Sequence, residues 1–370
     1  MSGNQAPLEQ AEIRNARASA WMKRGLALLE ENTPASLTAS LRWFGAAIEL
    51  RRTLPLDENP WYRYVLAAGW INRGDALTRL GSRERLAEAV HSYDQALALL
   101  QTLELGGQPL FRKRLALAWI NRGITLQEQE TTESFGAALE SFDEAIGILR
   151  DPSAPGCAEN RPALASALVN RGNALLRLTP PSAILARESV DQAMALTAGQ
   201  EEQDLLAAEI GLKARHILCR ALAVQLADRT GIIAAEELIA AATDAVDDGM
   251  KLARHWEMRG ERRFRDLARE LFHFGARAYQ IHQPHFLPEF LLENLDPCHS
   301  RDAFAVDPKM HGTAGAAIAG AVAEIQRTGF RWLNTPHFDR FVEMLRQLRV
   351  TQARLDELGR DPSLAASPAT

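Results

Sequence analysis

The sequence predicts an all-α chain built as an α-solenoid, with five to six helical hairpins and a C-terminal helical cap. Three observations predict it. A short helix-like block recurs at a fixed interval, each copy is followed by a second amphipathic block, and the longer connections between hairpins are marked by proline and glycine. A chain of 370 residues is long for one compact core, but a solenoid buries the apolar face of each repeat only against its neighbours.

The first block reads AWMKRGLALL from residue 20, GWINRGDALTRL from 69, AWINRGITL from 118 and ALVNRGNALLRL from 167. The glycines Gly25, Gly74, Gly123 and Gly172 keep a constant 49-residue interval. A fifth copy, GLKARHILCRAL from 211, sets His216 at the glycine position after a shorter interval of 44. Internal repetition at a fixed period marks a repeat architecture.

The second block reads SLRWFGAAIEL, AVHSYDQALALL, ALESFDEAIGIL, ARESVDQAMALT and ATDAVDDGMKLA. One large residue (Phe44, Tyr93, Phe142, Val190, Val246) is followed three places on by a small one (Ala47, Ala96, Ala145, Ala193, Gly249). Apolar residues recur at three- and four-residue steps, the spacing of one buried helical stripe, and the small residue allows close helix packing. Beyond 255, ELFHFGARAYQIHQP with Gly275 reads as a sixth first helix and HFLPEFLLENLDP as its partner. An alanine-rich helix near 312–328 and the amphipathic FDRFVEMLRQLRVTQARLDEL would close the open end, and 359–370 reads as a disordered tail. The expected organisation is an N-terminal segment 1–16, a solenoid 17–255 (repeats near 17–60, 61–107, 108–156, 161–200 and 203–255), a sixth hairpin and cap over 256–358, and the tail.

Trp21, Trp70 and Trp119 stand four before a glycine, Leu28, Leu77 and Leu126 three after it, with Ala89, Tyr93 and Ala96 in the second helix. On these residues, about 17 to 255, the chain resembles the tetratricopeptide repeat (TPR) family. It departs from that family in its long period and in the arginine just before each glycine. The extra length falls between a second helix and the next first helix, as in LQTLELGGQPLFRKRLALAW with Gly106, Gly107 and Pro109. The resemblance implies a right-handed α-solenoid of TPR-like helical hairpins whose first helices line a concave groove. It also implies a non-enzymatic scaffold that binds a protein or peptide partner there.

Lys23, Asn72, Asn121 and Asn170 stand two before each glycine, with the small residues Ala20, Gly69, Ala118 and Ala167 three earlier on the same helical face. A buried amide needs a hydrogen-bond partner, and asparagine can both donate to and accept from a peptide unit. Peptide-binding members of the resembled family set asparagines along this face. The alternative is that the three asparagines bond neighbouring helices and fix the superhelix.

Arg24, Arg73, Arg122, Arg171 and Arg215 form a second ladder. Guanidinium forks suit the carboxylates of an acidic peptide, but Asp94, Asp143, Asp191 and Asp247 recur in the second helices, and pairing inside the stack is the favoured reading. Gly45 stands where the first repeat's aspartate would be, so one arginine should lack that partner. One place after the glycines, Leu26, Asp75, Ile124, Asn173 and Ile217 vary, which would give a groove side-chain specificity. The expected peptide-binding set is Asn72, Asn121, Asn170, Asn173, Asp75, Arg73, Arg122 and Arg171.

Other chemistry is thinly represented. A net charge of -5 and a pI near 6.0 lack the basic excess that nucleic acid requires, and no stretch approaches the ~18 apolar residues of a membrane span. No phosphate loop, dinucleotide fingerprint or HExxH zinc motif is present. Cys157, Cys219 and Cys298 are an odd, scattered set that fits a reducing cytoplasm. Histidines gather toward the end (His273, His282, His285, His299, His311, His337); a metal or catalytic site there is an alternative, loop or cap histidines the preferred reading. MRGERRFR reads as a solvated helix face. No cofactor is expected, a homo-oligomer is allowed, and a self-associating structural scaffold is the first alternative function.

Overall fold

The computed structural model describes residues 5–104, 108–150, 157–228, 235–282 and 286–295, and 317, 318, 320, 321, 323 and 344 beyond them. Every regular element among the described residues is helical: α1 (Gln5–Glu31), α2 (Pro34–Arg52), α3 (Pro60–Leu80), α4 (Arg83–Leu100), α5 (Pro109–Gln127), α6 (Thr132–Leu149), α7 (Arg161–Arg177), α8 (Ala183–Thr197), α9 (Leu205–Asp228), α10 (Ala235–Met258), α11 (Arg265–His282) and α12 (Leu287–Leu295), with a 3-10 turn at Cys157–Asn160. The chain is an all-α solenoid, and its contacts divide it into two units, Met1–Leu196 and Thr197–Thr370.

The local sequence sets the helix ends. Within a hairpin the connection is short and the second helix opens on a hydroxyl cap. Thr33 and Thr131 form capping boxes with Ser36 and Ser134, and the Ser82 side chain accepts from the Arg85 amide. First helices instead open on proline at the first turn (Pro60, Pro109, Pro162), where its missing N–H costs nothing. The longer connections, 53–59 and 101–108, lie between hairpins, where the sequence placed the surplus length.

In the first unit α1 packs on α2, α3 on α4 and α5 on α6, and each second helix packs on the next first helix. α1 also touches α3, α3 touches α5 and α5 touches α7, whereas the second helices approach one another less closely. The stack therefore closes up on its first-helix side, its inner face. The core is the helix-crossing point of each hairpin. A Cβ built on Gly25, Gly74 or Gly123 would lie 2.4, 2.7 or 2.6 Å from the ring of Phe44, Tyr93 or Phe142. Each glycine lets one fully buried ring press against a helix backbone.

Two boundaries can be placed on the helices. Residues 5–16, assigned to a segment before the repeats, extend α1, because Ala11 is buried in a cluster with Leu54 and Tyr62. Within the span 17–255 read as solenoid, the contacts divide the chain after Leu196, in the stretch where the copy interval shortens. In the second unit α9 packs on α10, α10 on α11 and α11 on α12, and the place of a Cβ on Gly275 is taken by Val246 and Phe290. The cap helices and the tail lie outside the described residues except at scattered positions, of which Ala317, Ile318, Ala321 and Met344 are buried.

Candidate functional site on the first-helix face

The arginine ladder points away from the inner face and holds helices together. Nε of Arg122 donates to Oδ1 of Asp94 at 2.8 Å and Nη1 to the Ser141 hydroxyl at 2.7 Å, while its guanidinium lies over the Trp119 ring. Arg171 repeats the pattern with Asp143 (2.6 Å) and Ser189 (2.8 Å). Arg73 donates to Ser92 and, lacking the aspartate, to Glu88 at 3.3 Å. In Arg24 the serine position is held by Trp43, and the guanidinium stacks on that ring. Arg215, off register after the shortened interval, binds Glu201 through both terminal nitrogens at 2.9 and 3.1 Å. The sequence signal for the serine arm is SYD, SFD and SVD, which set serine and aspartate on either side of the packing residue.

The asparagine ladder does lie on the inner face, and its three members have three environments. Asn121 Nδ2 donates to Asp75 Oδ1, 46 residues earlier on α3, at 3.0 Å. The equivalent position for Asn72 is Leu26 and for Asn170 is Ile124, neither able to accept. Accordingly Asn170 Nδ2 turns to the carbonyl of Ser166 in its own helix at 2.9 Å, and Asn72 makes no side-chain hydrogen bond with any described residue. All three side chains are half-buried. Asn121 and Asn170 use an N–H and keep their Oδ1 acceptor unengaged; Asn72 keeps both functions.

Asp75 is the hub of the face. Its Oδ1 also accepts from the Tyr93 hydroxyl at 2.6 Å, and beside it the hydroxyls of Thr78 and Thr125 meet at 2.7 Å. Burial pushes the Asp75 carboxyl above its ordinary range, opposed by the hydrogen bond from Tyr93, the charge of Arg79 and the Asn121 bond. Burial and the Asp75 charge likewise push the Tyr93 hydroxyl up. One hairpin on, Asn173 Nδ2 donates to Gln127 Oε1 at 3.0 Å, and Gln127 donates to the Asn170 carbonyl at 2.7 Å.

The second unit offers less. Its apolar cleft of about 180 Å³ between α9, α10 and α11 is lined by Ala223, Leu226, Ile239, Phe274 and Ala278. His282 is exposed at the end of α11; His285, His299, His311, His337 and Cys298 lie outside the described residues. No cluster of His, Cys, Asp or Glu suited to a metal occurs among the described residues. In MRGERRFR, Arg263 pairs with Glu261 and Arg265 with Glu257, while Arg259 lies over Trp256. No described helix is long and apolar enough to cross a membrane.

No family model matches the chain, and no curated protein matches it. Among solved structures it is similar to one described as a circular tandem repeat protein with novel repeat topology and enhanced subunit contact surfaces. That similarity stands at 13% identity and a TM-score of 0.37, over 96% of this chain and 87% of that one.

Proposed function

We propose that the chain is a non-enzymatic, TPR-like interaction scaffold of the cytoplasm that binds an extended peptide segment of a partner protein on the first-helix face of its first unit. What supports the reading is the state of the ladder amides. Asn72 is half-buried with no hydrogen bond to a described residue, and Asn121 and Asn170 each keep an unengaged Oδ1 at the same register. These amide atoms are open to solvent rather than sealed in the core, so a ligand that brings backbone N–H and C=O groups along this face can take the place of water at each of them. In this reading the arginines serve the fold first, Nε and Nη1 of Arg122 and Arg171 being given to Asp94, Asp143 and the serines.

A random peptide library displayed on phage, panned on the full chain, tests this. Wild type should enrich peptides that N72A/N121A/N170A does not hold, with circular dichroism showing both proteins helical. If the triple variant loses helicity, Asn72→Ala alone serves, because that amide makes no hydrogen bond to a described residue. Enrichment that survives Asn72→Ala unchanged would place binding elsewhere.

A further inference from the structure

The positions one place after the crossing glycines give the face a pattern that the ladder lacks, and the inference below rests on the peptide-groove reading above. Leu26, Asp75, Ile124 and Asn173 lie three residues after Lys23, Asn72, Asn121 and Asn170, one turn along the same face. Leu26 is exposed, and Asp75, Ile124 and Asn173 are half-buried. A ligand crossing the stack thus meets, in order, an apolar side chain, a carboxylate, an apolar side chain and an amide.

The spacing selects a conformation. Packed helices stand about 8–10 Å apart. A polyproline II segment rises about 3.1 Å per residue with three residues per turn, so its every third side chain points the same way about 9 Å further on. A β-strand repeats its face every two residues, about 7 Å, and falls out of step with the helices within two repeats.

The carboxylate selects a charge. Asp75 Oδ1 is occupied by Tyr93 and Asn121, while Oδ2 takes no hydrogen bond from any described residue. The guanidiniums near it are engaged elsewhere: Arg79 Nη1 donates to the Leu29 carbonyl at 3.0 Å and Arg114 Nη2 to the Tyr64 hydroxyl at 2.9 Å. Asp75 therefore presents one carboxylate oxygen without a partner among the described residues; along the row Leu26, Asp75, Ile124 and Asn173 it is the one charged side chain, with Lys23 one hairpin earlier on the neighbouring ladder.

We propose that the partner segment binds in the polyproline II conformation with a lysine or arginine opposite Asp75 and apolar residues three places to either side, opposite Leu26 and Ile124. Asp75 gives the groove its charge preference, and the three-residue pitch follows from the helix spacing.

The test uses the full chain and a fluorescent peptide, Leu-Ala-Pro-Lys-Ala-Pro-Leu-Ala-Pro-Gln, read by fluorescence anisotropy. A charge-assisted hydrogen bond of this kind corresponds to about tenfold in affinity. Replacing the peptide lysine by alanine should weaken binding about tenfold, and by glutamate further. Asp75→Asn, which preserves the acceptor for Tyr93 and Asn121, should cost a similar factor and abolish the lysine dependence, as a double-mutant cycle requires. A lysine dependence that persists in Asp75→Asn, or equal binding when the lysine is moved one place along the peptide, overturns the inference. If in that case N72A/N121A/N170A still removes binding, the groove stands and only its charge and pitch are wrong. Binding of no peptide at all, with none enriched from the library, sinks both.

Discussion

Arg122 on α5 reaches back 28 residues to Asp94 on α4, at 2.8 Å, and forward to Ser141 on α6, at 2.7 Å. One guanidinium thereby ties three helices of two successive hairpins. A planar fork with several fixed donors can do this where a lysine could not. Arg171 repeats the 28-residue reach to Asp143, so the clamp belongs to the repeat. The residue at the same offset from Arg73 is Gly45, and there the clamp joins two helices instead of three, α3 and α4, with Glu88 as a longer substitute.

Gly45→Asp should complete it. A Cβ on Gly45 meets nothing within 4 Å, so the side chain has room. The gain has two parts: replacing a half-buried mid-helix glycine with open space beside it, and adding a partly exposed ion pair. Together they amount to about 0.5–1.5 kcal/mol. Urea unfolding of Gly45→Asp and Gly45→Ala, each with and without Arg73→Met, separates them. The aspartate should exceed alanine only while Arg73 is present; an equal gain in both backgrounds means that the pair does not form.

Gly74→Ala and Gly123→Ala should have the opposite sign. In an open helix alanine improves on glycine by about 1 kcal/mol. Here the new Cβ would sit 2.7 Å from the Tyr93 ring or 2.6 Å from the Phe142 ring, both rings fully buried and unable to retreat. Overpacking should outweigh propensity and destabilise each variant by about 1–3 kcal/mol, read as a lower urea midpoint. An unchanged midpoint would show that the hairpin opens without cost.

The glycines and the packing residues were legible in the sequence because they recur, and each recurrence has one cause, a ring laid on a backbone. The arginine clamp was half legible. Aspartate stood out as a recurring partner, and the gap at Gly45 was correctly tied to one deprived arginine. Serine went unnoticed, being small and common in helices. The differing fates of Asn72, Asn121 and Asn170 were hidden for a plainer reason. Each amide answers to a residue one hairpin earlier at a position that does not repeat, Leu26, Asp75 or Ile124, so identical letters sit in unlike surroundings.

Asp75 carries a pH signature. Its carboxyl binds a proton more tightly in the folded chain than in the unfolded one, chiefly through burial. Such a group favours the folded state at low pH, and that contribution is lost as pH rises through the raised folded pKa. Asp75→Asn removes the titration while keeping an oxygen for Tyr93 and Asn121. Thermal melts from below the ordinary aspartate value of 3.8 up to pH 7 should show the stability difference moving in favour of the asparagine variant as pH rises. A difference that is flat, or moves the other way, would mean that the hydrogen bonds from Tyr93 and Asn121 outweigh burial.

Leu26→Asp asks whether the face is read as a row of places one hairpin apart. The position corresponds to Asp75 one hairpin earlier, and it is exposed, 38% accessible on α1, so the change should alter stability by no more than about 0.5 kcal/mol. Two consequences follow from the geometry. The new carboxylate stands to Asn72 as Asp75 stands to Asn121, and gives the Asn72 amide an acceptor. It also turns the apolar place beside Asp75 into a second acidic one. Peptides selected on this variant should exchange an apolar residue for a second lysine or arginine, three places from the first. Selection of basic residues two or four places apart would refute the three-residue pitch, and selection of an unchanged apolar residue would remove α1 from the groove.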